Sequence, residues 1–278
     1  MPSHPPIPPL LSQHISDFPS GSLTLLTSTL GATTNWLLLR IIHAALKNSS
    51  HDGPNGVSGE TTVVLVSWLR DANFWKDGAR KLGIHSQKLQ VIDALSNGLG
   101  LSADGLPGAE KEVMKAVESA KEAMKEEGRV SLVLDGLDFL IAATACPVLD
   151  AIDTVGELRE VCFHPPTTRL EAFPPDFQPF RQHVDSTFIT ACADFALTQG
   201  PNTPLETSHS AFLMNMAHQA KTIMSVKGLD TGVAKDISGV IRISRGGGTD
   251  FEEDDVEEKE CLYFMEADGA VRVFERGA

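Results

Sequence analysis

Residues 28–35 stand where a phosphate-binding turn would put its chemistry. A P-loop reads G-x-x-x-x-G-K-[ST]: its glycines let backbone N–H groups curl round phosphate, its lysine neutralises charge and its hydroxyl holds magnesium. On that template Ser28 and Thr33 fall at the glycines, Thr34 at the lysine and Asn35 at the hydroxyl. The spacing is that of a cradle, and the chemistry is missing. Without the lysine the β- and γ-phosphates lose their local cation, and Asn35 replaces a hydroxyl ligand poorly, so hydrolysis by this chain alone is not expected. Asp135 is the second candidate. It closes the apolar run 130–134, where a carboxylate can position magnesium-bound water, but Gly136 follows it in place of a second acid. Ser28, Thr33, Thr34, Asn35 and Asp135 are therefore candidate nucleotide contacts. They equally suit a plain β–loop–α unit that never met a nucleotide, with Asp135 capping the next turn.

The basic residues give a different candidate. Between residues 221 and 245, Lys221, Lys227, Lys235, Arg242 and Arg245 outnumber Asp230 and Asp236, a net of +3 in a chain of formal charge −14. Such a segment suits phosphate contact, a solvated face or a subunit interface. Strand alternation puts Arg242 with Ser244 and opposite Arg245, so one patch holding both requires a bulge. The nine histidines show no H-x-x-H or H-x-x-x-H pair and the four cysteines no C-x-x-C pair, so no metal site is expected. Cys146, Cys162, Cys192 and Cys261 read as buried thiols of a reducing compartment. Trp36, Trp68 and Trp75 read as core or interface packing.

These groups need elements to position them. Residues 23–26 are an apolar, threonine-interleaved run of strand length, and 36–47 are clearly helical. Residues 61–67 (TTVVLVS) read as a strand buried on both faces. Asp71 is placed to cap a helix over 74–82 that Gly83 ends. Residues 89–95 read as a strand, 97–108 as a glycine-rich loop and 110–127 as the most regular helix, with Val113, Val117, Ala120 and Met124 on one face. Further strands are expected at 130–134, 188–193 and 222–226. Helices are expected around Leu149 to Leu158 and over 205–221. Residues 51–59 and 164–179 read as loops. The alternation implies a mostly parallel sheet flanked by helices. The end differs in kind, because 240–244, 261–264 and 271–274 read as a C-terminal antiparallel meander. Its first connection is an acidic loop near 248–260, where residues 250–260 carry eight acids against one lysine.

The division expected is a flexible proline-rich arm over 1–20 and one α/β domain over 21–278, since five prolines among the first nine residues oppose regular structure. No run reaches spanning length, and the start lacks a charged n-region with an apolar h-region, so an intracellular, soluble protein with no membrane partner is expected.

A P-loop-like opening unit, an apolar strand ending in Asp135 and a C-terminal meander together resemble the RecA-like (P-loop NTPase-like) core. Three stretches are more specific: VSWLRDANFWKDGARKLGI (66–84), TPLETSHSAFLMNMAHQAKTIMSVKGLDTGVAKDISGVIRISRGG (203–247) and LYFMEADGAVRVFERG (262–277). In these the chain resembles the fungal Elongator complex protein 6 family. The resemblance implies a non-catalytic ring subunit joining Elongator subunits four and five, two copies of each, beside the catalytic Elongator subcomplex. It implies support of tRNA binding and wobble-uridine modification, with ATP at ring interfaces as the one implied cofactor and a cytoplasmic, also nuclear, location. On that footing Lys227, Lys235, Arg242 and Arg245 are the tRNA or interface candidates. Two rivals stand beside it: a free-standing NTPase with a divergent loop, and a ring scaffold that touches no RNA.

Overall fold

The computed structural model describes residues 6–16, 18–48, 60–84, 86–101, 105–124, 128–144, 146–159, 184–200, 203–229, 232, 234–248 and 256–275. The loops expected at 51–59 and 164–179, Cys162, Asp230 and most of the acidic loop lie outside the described residues.

In chain order the elements are α1 (Pro9–Ile15), β1 (Ser22–Ser28), α2 (Asn35–Asn48), β2 (Thr61–Ser67), α3 (Ala72–Lys81) and β3 (Leu89–Asp93). Then come α4 (Gly105–Glu122), β4 (Arg129–Asp135), α5 (Leu137–Thr144), α6 (Val148–Arg159), β5 (Ser186–Cys192), α7 (Phe195–Thr198) and α8 (Pro204–Gln219). The chain finishes with β6 (Thr222–Lys227), β7 (Gly239–Arg245), β8 (Lys259–Met265) and β9 (Val271–Glu275). The nine strands form one sheet in the order β3-β2-β4-β5-β1-β6-β7-β8-β9. The first six are parallel, and β7, β8 and β9 continue antiparallel, as the sequence implies.

Hydrophobic burial explains the layering. The parallel strands are apolar on both sides because each side is covered. Leu23, Leu25, Leu132 and Leu134 pack on one face with α4, α5, α6 and α8. Leu26, Val63, Leu65 and Val133 pack on the other with α1, α2 and α3. Each fully buried leucine or valine contributes about 1.5–3 kcal/mol of transfer free energy. All three tryptophans are buried, and Trp36 lies 4.9 Å from Tyr263 of β8, which ties α2 to the meander. Arg40 strengthens that tie from inside. Its Nη1 donates to the Trp36 carbonyl at 2.9 Å and its Nη2 to the Gly269 carbonyl at 3.2 Å, while burial lowers the guanidinium pKa to about 10.

Local signals hold where the chemistry was explicit. Asp71 Oδ1 accepts the Phe74 N–H at 2.8 Å, and Gly83 takes φ +72° as α3 ends. Thr203 and Glu206 form a reciprocal capping box at the start of α8.

Two expectations fail, and one helix has no counterpart among them. Residues 9–15 are not a loose arm: Pro9 begins a helix, which proline tolerates at its first position, and Leu11 and Ile15 are fully buried against the α2 side. The glycine-rich loop ends early, because α4 begins at Gly105 and buries Leu106 and Ala109. Finally, α5 was not expected at all. Its sequence LDFLIAAT is apolar nearly all round and carries no helical period. Of the cysteines described, Cys261 is buried, whereas Cys146 and Cys192 are only partly so.

Candidate functional site

The strand–turn–helix unit is present. β1 ends at Ser28, the turn covers 29–34 and α2 opens at Asn35. Ligands of open α/β sheets collect at the carboxyl ends of the strands, and that is where this turn stands. Three of its backbone N–H groups, however, are engaged by the protein itself. The Thr29 N–H donates to the Val226 carbonyl at 3.2 Å and the Ala32 N–H to the Thr29 carbonyl at 2.9 Å, with Gly31 at φ +87°. Thr33 Oγ1 turns inward and accepts the Asn35 N–H at 3.2 Å. Thr34, at the lysine position, is buried and starts the helix by accepting the Leu38 N–H at 2.8 Å. Most telling is Leu30, whose N–H donates to Asp194 Oδ1 at 2.5 Å. A carboxylate from the β5–α7 connection thus takes up an amide that a phosphate cradle would offer to its ligand. The other Asp194 oxygen accepts the Cys192 thiol at 3.1 Å, and burial together with that bond pushes the thiol pKa up to about 11. Cys192 is therefore a protonated donor and not a nucleophile at neutral pH.

Asp135 neither faces the turn nor caps the next helix. It is 1% exposed and accepts from Ser67 Oγ at 2.6 Å and from Thr190 Oγ1 at 2.8 Å. Ser67 ends β2 and Thr190 lies two residues before the end of β5, so the carboxylate bolts three adjacent strands together. Register gives the depth: Asp135 pairs with Thr190, and Thr190 with Leu26, two residues short of Ser28. Burial raises the Asp135 pKa and Asp138 adds to the rise, against the two hydroxyl bonds and Arg70. Gly136 follows for a steric reason. It takes φ +80°, and a Cβ there would lie 2.4 Å from Leu69 Cγ. Its N–H donates to Thr190 Oγ1 at 2.9 Å.

Beside this hub lies a second buried group. Asp138 accepts the Cys192 N–H at 2.8 Å, His209 Nδ1 stands 3.9 Å from the same carboxylate, and His209 Nε2 lies 2.8 Å from the Cys192 carbonyl. Burial dominates the raised Asp138 pKa. Among the described residues, no group of His, Cys, Asp and Glu could hold a metal ion. Sequence reasoning missed Ser67, Asp138, Thr190, Asp194 and His209. The available signal was that Ser67, like Asp135, is a polar residue at the end of an apolar strand, and that Thr190 is a polar residue near the end of another.

The rim around these buried groups is apolar. Leu30 in the turn is 90% exposed and Phe195 after β5 is 76% exposed. Leu69 and Phe74 after β2, and Leu95 and Leu101 after β3, are exposed as well. Loops after four parallel strands thus present large apolar side chains at one pole, an arrangement typical of surfaces that meet another macromolecule.

The basic candidates do not converge. Pairing of β6 with β7 runs regularly from Thr222–Arg245 to Lys227–Val240, with no bulge. Lys227 and Arg245 therefore lie at opposite ends of the ladder, about 17 Å apart at roughly 3.3 Å per residue. Arg242 and Arg245 are exposed and, in an unbroken strand, face opposite sides. Lys235 is exposed in the connection between the strands. Acids accompany the meander's bases: Arg242 stands opposite Glu260 in register, Arg272 Nε lies 3.1 Å from Glu266 and Lys259 Nζ 2.9 Å from Glu275. Among the described residues, no helix is long and apolar enough to cross a membrane.

No family model and no curated protein matches the chain. Among solved structures, the KaiC-like protein PH0186 from Pyrococcus horikoshii OT3 aligns at 11% identity over 96% of both chains, with a TM-score of 0.48. The uncharacterised protein PH0321 from Pyrococcus horikoshii, solved in complex with an unknown peptide, aligns at 13% identity with a TM-score of 0.59. That alignment covers 99% of this chain and 100% of that one, so the likeness between the two is one of overall fold.

Proposed function

We propose that the chain is a non-catalytic RecA-like subunit of the Elongator accessory ring, assembling with Elongator subunits four and five in two copies each and supporting tRNA wobble-uridine modification. The observation that carries the non-catalytic part is the Leu30 amide held by the protein's own Asp194 carboxylate. A phosphate approaching that turn meets a fixed negative charge, no lysine and a Thr34 already committed to the helix start. The RecA-like part is supported by the strand order, in which β5 separates the strand ending in Asp135 from the strand ending in the P-loop-type turn. The Elongator part rests on the three stretches quoted above. The apolar rim fits a protein neighbour at this pole better than it fits a soluble nucleotide.

Native mass spectrometry of the chain co-expressed with Elongator subunits four and five, with and without ATP, tests the proposal. A six-membered assembly with two copies of this chain is expected, and nucleotide, where bound, sits at ring interfaces. A monomer or homodimer indifferent to both partners overturns it. The free-standing NTPase makes the opposite forecast, namely magnesium-dependent hydrolysis by the purified chain that Asp135→Ala abolishes.

One observation favours the scaffold variant of this reading, in which the ring touches no RNA through this chain. Arg242 is opposed in register by Glu260, so an acid stands beside it on the neighbouring strand. If Arg242 and Arg245 contact tRNA, reversing both to Glu weakens binding by the assembled ring and lowers its salt dependence. A scaffold shows neither change.

A further inference from the structure

The other pole of the same strands holds an open cavity of about 390 Å³, lined on one side by the N-terminal segment. Ser22 and Thr24 lie two residues apart on β1, so their side chains share a face, and Thr222 of β6 is Thr24's neighbour in register. The three hydroxyls form a row along one wall of the cavity. No described residue hydrogen-bonds any of them. Several interior hydroxyls elsewhere in the sheet are bonded. Thr27 Oγ1 donates to Ser225 Oγ at 2.8 Å, Ser131 and Ser186 bond at 2.8 Å, and Ser67 reaches Asp135.

The opposite wall is polar and ordered. Gln13 Nε2 donates to Glu257 Oε2 at 2.8 Å and lies 3.1 Å from His14 Nε2, so one α1 side chain is braced against the segment entering β8. Burial lowers the His14 pKa, with Glu257 opposing, which favours the neutral ring. Phe18, Pro19 and Val256 supply apolar surface between the two polar walls.

These features select a ligand class. A hydroxyl donates and accepts alike, so a row of three matches a ligand that is itself rich in hydroxyls. Lys221 and Glu257 both line the cavity, so its charged side chains balance and select neither an anion nor a cation. The volume lies at the lower end of the range for small-molecule sites. We infer that the cavity bounded by Ser22, Thr24, Thr222, Gln13 and Glu257 is a binding site for a small neutral polyol of monosaccharide size. The hydroxyl row and Glu257 would pair with the ligand's hydroxyls, and Phe18 with its C–H face. The inference is independent of the ring reading.

The test uses the full-length protein with D-ribose, D-glucose and myo-inositol as probes and inorganic phosphate as the anionic control, read by saturation-transfer NMR and calorimetry. At least one polyol is expected to bind. Thr24→Val and Thr222→Val, which keep the shape and remove the hydroxyl, should each weaken that polyol roughly fivefold to tenfold, the loss of one hydrogen bond. Ser22→Ala, at a partly exposed position, gives the same reading should a threonine variant fail to fold. Binding of phosphate without any polyol, no binding at all, or an affinity indifferent to these substitutions overturns the inference.

Discussion

Asp194 and Gly136 decide what the carboxyl end of the sheet can do. Asp194 occupies the Leu30 amide as a built-in anion, so the turn is stable without a ligand. Removing it as Asp194→Ala forfeits a charge-assisted hydrogen bond, about 1.5–3 kcal/mol of local stability. Hydrogen exchange at the Leu30 amide should accelerate by at least about tenfold, and an unchanged rate would show that the bond does not hold the turn. Gly136 is held by sterics. Gly136→Ala forces a side chain into a positive-φ site against Leu69 and should lower unfolding stability by about 1–3 kcal/mol. Denaturant melts read this directly, and a variant as stable as the parent would refute the packing described. The same glycine accounts for the missing second acid after Asp135, since no larger residue fits there without moving Leu69.

At the scale of elements, the sequence was legible wherever a local rule operated. β2 was readable because TTVVLVS is β-branched and apolar, and α3 because Asp71 and Gly83 mark its ends with known chemistry. It was illegible where tertiary burial overrode local signals. α5 is apolar all round, so its period vanished into the core, and α1 hid behind prolines that only forbid helix after the first turn. The inward turn of Asp135 was equally invisible, because it depends on Ser67 and Thr190 arriving from strands far apart in sequence. The docking of α1 is measurable: Leu11→Ala should cost about 2–5 kcal/mol, as for other core leucines, whereas a loose arm would show almost nothing. The packing of α4 on α6 carries a pH signature. Burial and the neighbouring Glu157 raise the Glu110 pKa from 4.5 to about 7. A carboxyl raised on folding contributes stability that is complete below about pH 4.5 and is lost as pH rises through about 7. Glu110→Gln should therefore flatten the fall in melting temperature between pH 5 and pH 8. A parallel fall in both proteins would show that Glu110 does not set the pH dependence.

At the scale of the whole molecule, two poles of one sheet have different characters. The carboxyl pole is apolar at its rim, with Asp135, Asp138 and Asp194 bonded within the protein beneath it, and the amino pole is polar and open. If the carboxyl pole is a ring contact, Leu30→Asp combined with Phe195→Asp should remove the chain from the assembly. The monomer's own stability should hold, because both side chains already stand in water. A double variant that still assembles would place the contact elsewhere. The strand order also governs how the molecule comes into being. β1 is among the first strands synthesised, yet both of its neighbours, β5 and β6, come from residues 186–192 and 222–227. At about 5–20 residues per second, Leu23, Leu25 and Leu26 wait roughly 10–40 s on the ribosome before either flank can close. Throughout that interval the nascent chain carries an unpaired apolar strand, so its yield in the cell depends on whatever shields β1 until the second half emerges.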